Sequence, residues 1–315
     1  MSARSHRREG FTWIELVIVL FVIAVLVALV LPAVQSDRRR PSRFQCLNNM
    51  RYVGLATLNY ASSNSGILPF VEDESKNWPV SLMRFLDQPA LARDIETADW
   101  SDEKAPYLQV FACPDDTDSW QAPGGLSYVV NGGYGFFPVD QQSGETVERG
   151  RHSLAQGWDG DGEVSEQDRE ITQATGVFWR PDDVLSPLTL DEIGVGDGTG
   201  NTLMLSENLH AGPWTTHDIR GLAFVVDRNR LKFDESAGAL AVAEADLGPF
   251  AINGGKESNG LVPAPSSNHQ GSVNVIWADG RGTTLSEDID PLVYVRLLTP
   301  GGSLYGEQPV DDPMY

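Results

Sequence analysis

Apolar and polar positions alternate with three different periods along this chain, and each period predicts a different element. The first is a run without a charge from Leu16 to Val34, nineteen residues long. A helix needs roughly 20 apolar residues to cross the hydrocarbon core of a bilayer, so the run predicts a membrane-spanning helix. Arg4, Arg7 and Arg8 precede it, and basic residues hold their side of a span in the cytoplasm. A secretory signal peptide would have a shorter apolar region and a small-residue cleavage signal beyond it. Here Pro32 and Gln35 interrupt any such signal. Pro32 also removes one helical hydrogen bond, which predicts a kink.

The second period is helical and amphipathic. From Ser42 to Ala61, Cys46, Met50, Val53, Thr57 and Tyr60 fall on one face, with Leu47, Gly54 and Leu58 beside them. Asn48, Asn49, Arg51 and Asn59 are polar. Such a stripe packs on a sheet. The third period is two. Ser272 to Trp277 alternates, with Val273, Val275 and Trp277 on one face, and Asp279-Gly280 reads as a hairpin turn into Arg281–Leu285. Shorter strand signals lie at Leu108–Phe111, Ser127–Val130, Thr175–Trp179, Thr202–Ser206 and Gly221–Val226, and a short helix is predicted between Asp288 and Leu298. Residues 138–170 are polar and read as a long exposed insertion. The expected architecture is α+β: a long N-terminal membrane-spanning α-helix packed on an antiparallel β-sheet with large loop insertions. Residues 65–300 read as an acidic β-rich domain and 301–315 as an irregular tail.

Charge narrows the partners. The 315 residues carry a net charge of −21, and loss of residues 1–10 brings it near −23. Such acidity disfavours nucleic acid and anionic surfaces, and no Gly-rich phosphate loop is present. The two cysteines, Cys46 and Cys113, form an even pair, which in an exported chain suggests a disulfide. Two buried free thiols are the alternative. With no Cys-x-x-Cys and no Cys/His cluster along the sequence, zinc is not expected.

Gly10-Phe11-Thr12-Trp13-Ile14-Glu15 stands directly before the apolar run. It resembles the processing site of type IV pilins and type II secretion pseudopilins, apart from Trp13, where leucine is commoner. The resemblance implies cleavage after Gly10 by a prepilin peptidase, N-methylation of Phe11, and an assembly role for Glu15. A carboxylate at the start of a membrane helix is costly unless paired, and its expected partner is the new amine at Phe11 of a neighbouring subunit. Cys46-Leu47-Asn48-Asn49-Met50-Arg51-Tyr52-Val53-Gly54-Leu55-Ala56, together with His269, nine residues, and Asp279-Gly280, is similar to a large pilin-like family of unknown function. Val110–Asp115 and Gly198–Glu207 resemble internal stretches of that family.

The resemblance implies a pilin-like fold, with residues 1–10 as a leader and 11–35 and 36–64 as the transmembrane and exported halves of a spine helix, and a structural role: a pseudopilin or minor pilin subunit without enzymatic activity, assembled with other pilin-like subunits on a filament platform in the inner membrane. The N-terminus would be cytoplasmic before processing and the body periplasmic or extracellular. Two other readings are kept. An anchored binding module for protein or polysaccharide would show clustered exposed tryptophans. An anchored hydrolase would need His269 or His210 beside a nucleophile, and Ser206-Glu207 lacks an elbow signature. The expected role of His269 and Asp279 is structural, in the strand start and the turn. No cofactor is expected. Asp159, Asp161 and Glu163 alternate as calcium ligands can, but Val164 stands where an EF-hand requires glycine, so a solvated acidic turn is the expected reading.

Overall fold

A computed structural model describes residues 13–37, 39–73, 75–97, 105–135, 157–159, 161, 163–181, 186–258, 262–308 and 310. The chain divides into two units, Met1–Ser42 and Arg43–Tyr315.

The first unit is built on α1 (Trp13–Asp37). Consecutive residues Val17, Ile18, Val19 and Leu20 are all exposed, so apolar side chains project from every side of the helix. Pro32 lies within its helical backbone. The expected membrane span is corrected: among the described residues, no helix is long and apolar enough to cross a membrane. The single-pass inner-membrane placement, with its cytoplasmic N-terminus and exported body, is overturned by the same finding. Gly10 and Phe11 lie outside the described residues.

The second unit is an α+β body. α2 (Arg39–Ser63) enters it and buries Cys46, Leu47, Met50, Val53, Ala56, Thr57 and Ala61, the stripe its periodicity predicts. It packs on a five-stranded sheet whose strands stand in the order Ala223–Asp227, Tyr128–Gly135, Leu203–Glu207, Ser272–Trp277 and Gly282–Ser286. A Cβ added at Gly54 would stand 2.8 Å from Ile276 Cγ2, so glycine permits the close approach of helix to sheet.

The strands are β1 (Tyr128–Gly135), β2 (Leu203–Glu207), β3 (Ala223–Asp227), β6 (Ser272–Trp277) and β7 (Gly282–Ser286). A separate two-stranded ribbon pairs β4 (Leu231–Phe233) with β5 (Val242–Ala245). β1 runs antiparallel to β2 but parallel to β3. The sheet is therefore mixed, which corrects the expected antiparallel one. Strand direction is set by long connections rather than by the period-2 pattern within a strand, and the β1 connection leads first to β2 on its other side. The β6–β7 hairpin turns at Gly280, whose φ is +85°, in the left-handed region that glycine enters freely.

Two expected strands are absent. Leu108–Phe111 holds a 3-10 turn over Gln109–Phe111. Val177 and Phe178 instead donate their N–H groups to the Asn131 carbonyl, following β1 without forming a ladder. Five short helices complete the body: α3 (Trp78–Leu82), α4 (Pro89–Thr97), α5 (Glu166–Gln173), α6 (Leu190–Val195) and α7 (Pro291–Leu298). α5 lies partly in the segment expected to be an exposed insertion. Ser165 and Asp168 close a reciprocal cap at its start, which satisfies two orphan donors.

The core occupies both faces of the large sheet. One face carries Met50, Val53, Trp78, Phe111, Tyr128 and Ile276 beneath α2. The other carries Tyr134, Phe224, Val273, Trp277, Tyr294 and Leu298. Buried on both faces, β1, β2 and β3 read as continuous apolar runs rather than as alternation.

Candidate functional site

The densest collection of chemistry-bearing side chains in the body lies where α2, the segment after Phe111, the end of β2 and the start of β6 meet. Each element contributes through its own local structure. Cys46 lies on the buried stripe of α2. Cys113 follows the 3-10 turn, and its N–H donates to Ser127 Oγ over 3.0 Å. Glu207 is the last residue of β2. His269 stands three residues before β6, where Ser267 Oγ accepts its backbone N–H at 3.1 Å. Cys46 and Cys113 are joined as a disulfide with Cα atoms 4.8 Å apart.

His269 is held between two carboxylates. Its Nε2 is 3.0 Å from Glu207 Oε1, and its Nδ1 is 3.1 Å from Asp115 Oδ2. Both hydrogen bonds form together only when both ring nitrogens carry protons, because neither carboxylate has a proton to donate when ionised. The Cys113 sulfur lies 3.6 Å from the same Nε2. Glu207 is further fixed by Asn274, whose backbone N–H donates to Oε2 at 2.7 Å and whose amide donates to Oε1 at 3.0 Å. His269 and Glu207 are both buried, whereas the Asp115 side chain keeps 30% of its surface, so the cluster meets solvent on the Asp115 side.

The surroundings are polar and ordered. Asn268 donates its amide to the Asp115 carbonyl at 2.8 Å. Ser127 Oγ donates to Asp116 Oδ2 at 2.7 Å. Burial pushes the Asp116 carboxyl above its usual range, although Ser127 and Ser119 hydrogen bonds oppose the shift. Tyr128, whose hydroxyl donates to the Cys46 carbonyl at 3.3 Å, is pushed well above its ordinary value, first by burial and then by the Glu207 charge.

The two ends of the signature motif do different work. β6 separates His269 from Asp279 by roughly 20 Å, at about 3.3 Å per residue. Asp279 Oδ1 accepts the Arg281 N–H at 2.8 Å, which organises the hairpin turn. The two residues therefore do not form a catalytic pair. The groups facing the His269 ring are two carboxylates and a disulfide sulfur, and none is a nucleophilic hydroxyl. His210 Nε2 bonds the Lys256 carbonyl at 2.9 Å. The hydrolase reading gains no support from either histidine.

Other expected residues are placed separately. The Asp159 and Asp161 carboxylates each accept a backbone N–H two residues on, at 3.1 and 2.8 Å. They stabilise successive turns and do not converge with Glu163. Among the described residues the group that could hold a metal ion is Cys46, Cys113, Glu207 and His269, whose ligand atoms lie within 4.8 Å of one another. Sequence spacing concealed it, because the four residues are scattered over more than two hundred positions. The one available signal was that Cys113-Pro114-Asp115, Ser206-Glu207 and His269 all fall in family-like stretches. Trp78, Trp179, Trp214 and Trp277 are fully buried, so these four serve as core rather than as a binding face.

A disulfide-locked helix, a mixed sheet and a buried histidine between carboxylates define an α+β body of one class. The chain belongs to the family described as "Protein of unknown function (DUF1559)", which it matches over residues 38–292. The match contains both cysteines and the whole His269-to-Gly280 motif, and it begins after Gly10, Phe11 and Glu15. No curated protein and no solved structure matches the chain.

Proposed function

We propose that this chain is a pilin-like structural subunit whose α1 packs among the α1 helices of neighbouring copies in a filament. The observation that carries the reading is the exposure of apolar side chains on every side of α1, from Trp13 and Ile14 to Leu26 and Val27. A helix that is apolar all round is stable in water only when it is covered, and parallel copies of the same helix supply a matching surface. α2 adds a second apolar face, with Phe44, Tyr52 and Leu55 exposed opposite its buried stripe.

In its finer form, the proposal is a pseudopilin or minor pilin of a type II secretion or type IV pilus-like system. A prepilin peptidase cuts after Gly10 and methylates Phe11, and Glu15 of one copy meets the Phe11 amine of the next. The motif order Gly10 to Glu15 supports this. No catalytic role is proposed. The mass of the N-terminal peptide from cells with and without an active prepilin peptidase tests the reading. A peptide starting at methylated Phe11 only when the peptidase is active is expected. An intact residue 1–10 leader in both samples overturns it.

A further inference from the structure

We propose that the body is a redox-gated zinc site: with the Cys46–Cys113 bond reduced, Cys46 Sγ, Cys113 Sγ, His269 Nε2 and a Glu207 oxygen bind one Zn²⁺. These four donors belong to one buried cluster with every ligand atom within 4.8 Å of the others. Zinc takes four such ligands tetrahedrally, with Zn–S about 2.3 Å and Zn–N about 2.0–2.1 Å. Those lengths place a sulfur and a nitrogen on one zinc about 3.6 Å apart, and Cys113 Sγ is 3.6 Å from His269 Nε2. The histidine and glutamate donors are already adjacent at 3.0 Å. The sulfurs must part to about 3.8 Å on a common zinc, and the donors now up to 4.8 Å apart must draw in by about 1 Å. Rotamer changes at the two cysteines provide this once the covalent bond is gone.

The neighbours of these donors are those that zinc sites use. Metal-binding histidines almost always donate their second ring N–H to a carboxylate or carbonyl, which fixes the ring and raises its basicity. Asp115 stands 3.1 Å from His269 Nδ1 in that position. Asn274 holds both oxygens of Glu207, so the carboxylate is oriented without reference to the histidine. A disulfide needs none of this polar apparatus beside it.

The step balances with a dithiol reductant. Its two thiols give up two electrons and two protons and become a disulfide. The Cys46–Cys113 bond breaks and both sulfurs become thiols. Zn²⁺ then binds both as thiolates, releasing two protons, and takes the place of the proton on His269 Nε2. Exchange with an oxidised dithiol, whose disulfide takes up the two electrons and two protons and becomes two thiols, re-forms the Cys46–Cys113 bond and expels the metal, because a disulfide sulfur is no longer an anionic ligand. The oxidised chain is thus locked by a covalent bond and the reduced chain by a metal at the same point.

The full chain, stripped of metal by a chelator, tests this in reduced and oxidised forms. Co²⁺ is the first probe, since thiolate-to-cobalt charge-transfer absorption reads cysteine ligation and ignores the acidic surface. Zn²⁺ competition then gives the affinity. The reduced chain is expected to show the charge-transfer band and to bind one equivalent of Zn²⁺ at least tenfold more tightly than the oxidised chain. Cys46→Ser and His269→Ala should lose the tight site, and Asp115→Asn should weaken it about 10- to 100-fold while the fold is retained. Absence of the band in a reduced, folded chain overturns the proposal. So does equal zinc binding by both redox forms. If reduction unfolds the body by far-ultraviolet circular dichroism, recovery of the fold by Zn²⁺ supports the site, and failure to recover overturns it.

Discussion

His269 Nε2 lies 3.0 Å from Glu207 Oε1 inside the body, with both side chains nearly shielded from solvent. The contact ties the start of β6 to the end of β2, and Asp115 extends it to the segment that carries the disulfide. Three stretches far apart in sequence are thereby fixed at one point.

Removing one partner of a buried ion pair leaves the other uncompensated, at a cost of about 3–5 kcal/mol. His269→Ala should lower the stability of the body by that order in urea unfolding. Combined with Glu207→Gln, the loss should be less than the sum of the single effects by about 1–3 kcal/mol. Additivity within about 0.5 kcal/mol would mean that the two groups do not act as a pair.

The disulfide closes a loop with a sequence separation of 67 residues. In the chain-entropy account this contributes about 4 kcal/mol. The Cys46→Ala/Cys113→Ala variant should unfold at correspondingly lower denaturant in metal-free buffer. An unchanged midpoint would place the cross-link in a region that opens independently.

Glu307 gives the body a pH dependence. Burial, and secondarily the Asp197 charge, push its carboxyl up to about 8 from 4.5, against the opposing Thr299 hydrogen bond. The folded state therefore holds a proton that the unfolded state releases near its ordinary value. Stability contributed this way is complete below about 4.5, falls as pH rises, and is lost above about 8. The total is on the order of 5 kcal/mol. Glu307→Gln should flatten this part of the stability-versus-pH curve. A variant with the wild-type slope between pH 5 and 8 would assign the titration to another group.

Gly280 combines a left-handed φ of +85° with a tight contact, since an added Cβ would lie 2.9 Å from Leu58 Cδ1. Gly280→Ala should cost about 1–2 kcal/mol from the backbone alone, whereas Asp279→Ala, which loses an exposed turn hydrogen bond and an exposed ion pair, both with Arg281, should cost about 1 kcal/mol. Thermal unfolding of the two variants separates the signature's turn function from the buried work of His269. An Asp279 variant as damaged as His269→Ala would contradict that division.

The amphipathic stripe of α2, the β6–β7 hairpin with its glycine turn, and the cores of β1, β2 and β3 were legible in the sequence because short-range periodicity and turn chemistry determine them. The parallel pairing of β1 with β3 was not legible, since strand direction depends on where long connections lead. Nor was a membrane span secured by a run of apolar residues, since among the described residues no helix is long and apolar enough to cross.

Leu108–Phe111 and Thr175–Trp179 have strand-like composition but settle as a turn and as loop donors to Asn131. The zinc-type cluster was the largest omission. Cys46, Cys113, Glu207 and His269 have no common spacing, and only the packing of α2 against the sheet brings them together. By itself, the sequence determined what depends on neighbours a few residues away: which faces are apolar, where the chain turns, and how much charge it carries. Tertiary structure alone decided which distant side chains share a buried volume. There, exclusion of water makes every charge demand a partner, and that demand holds His269 between Asp115 and Glu207.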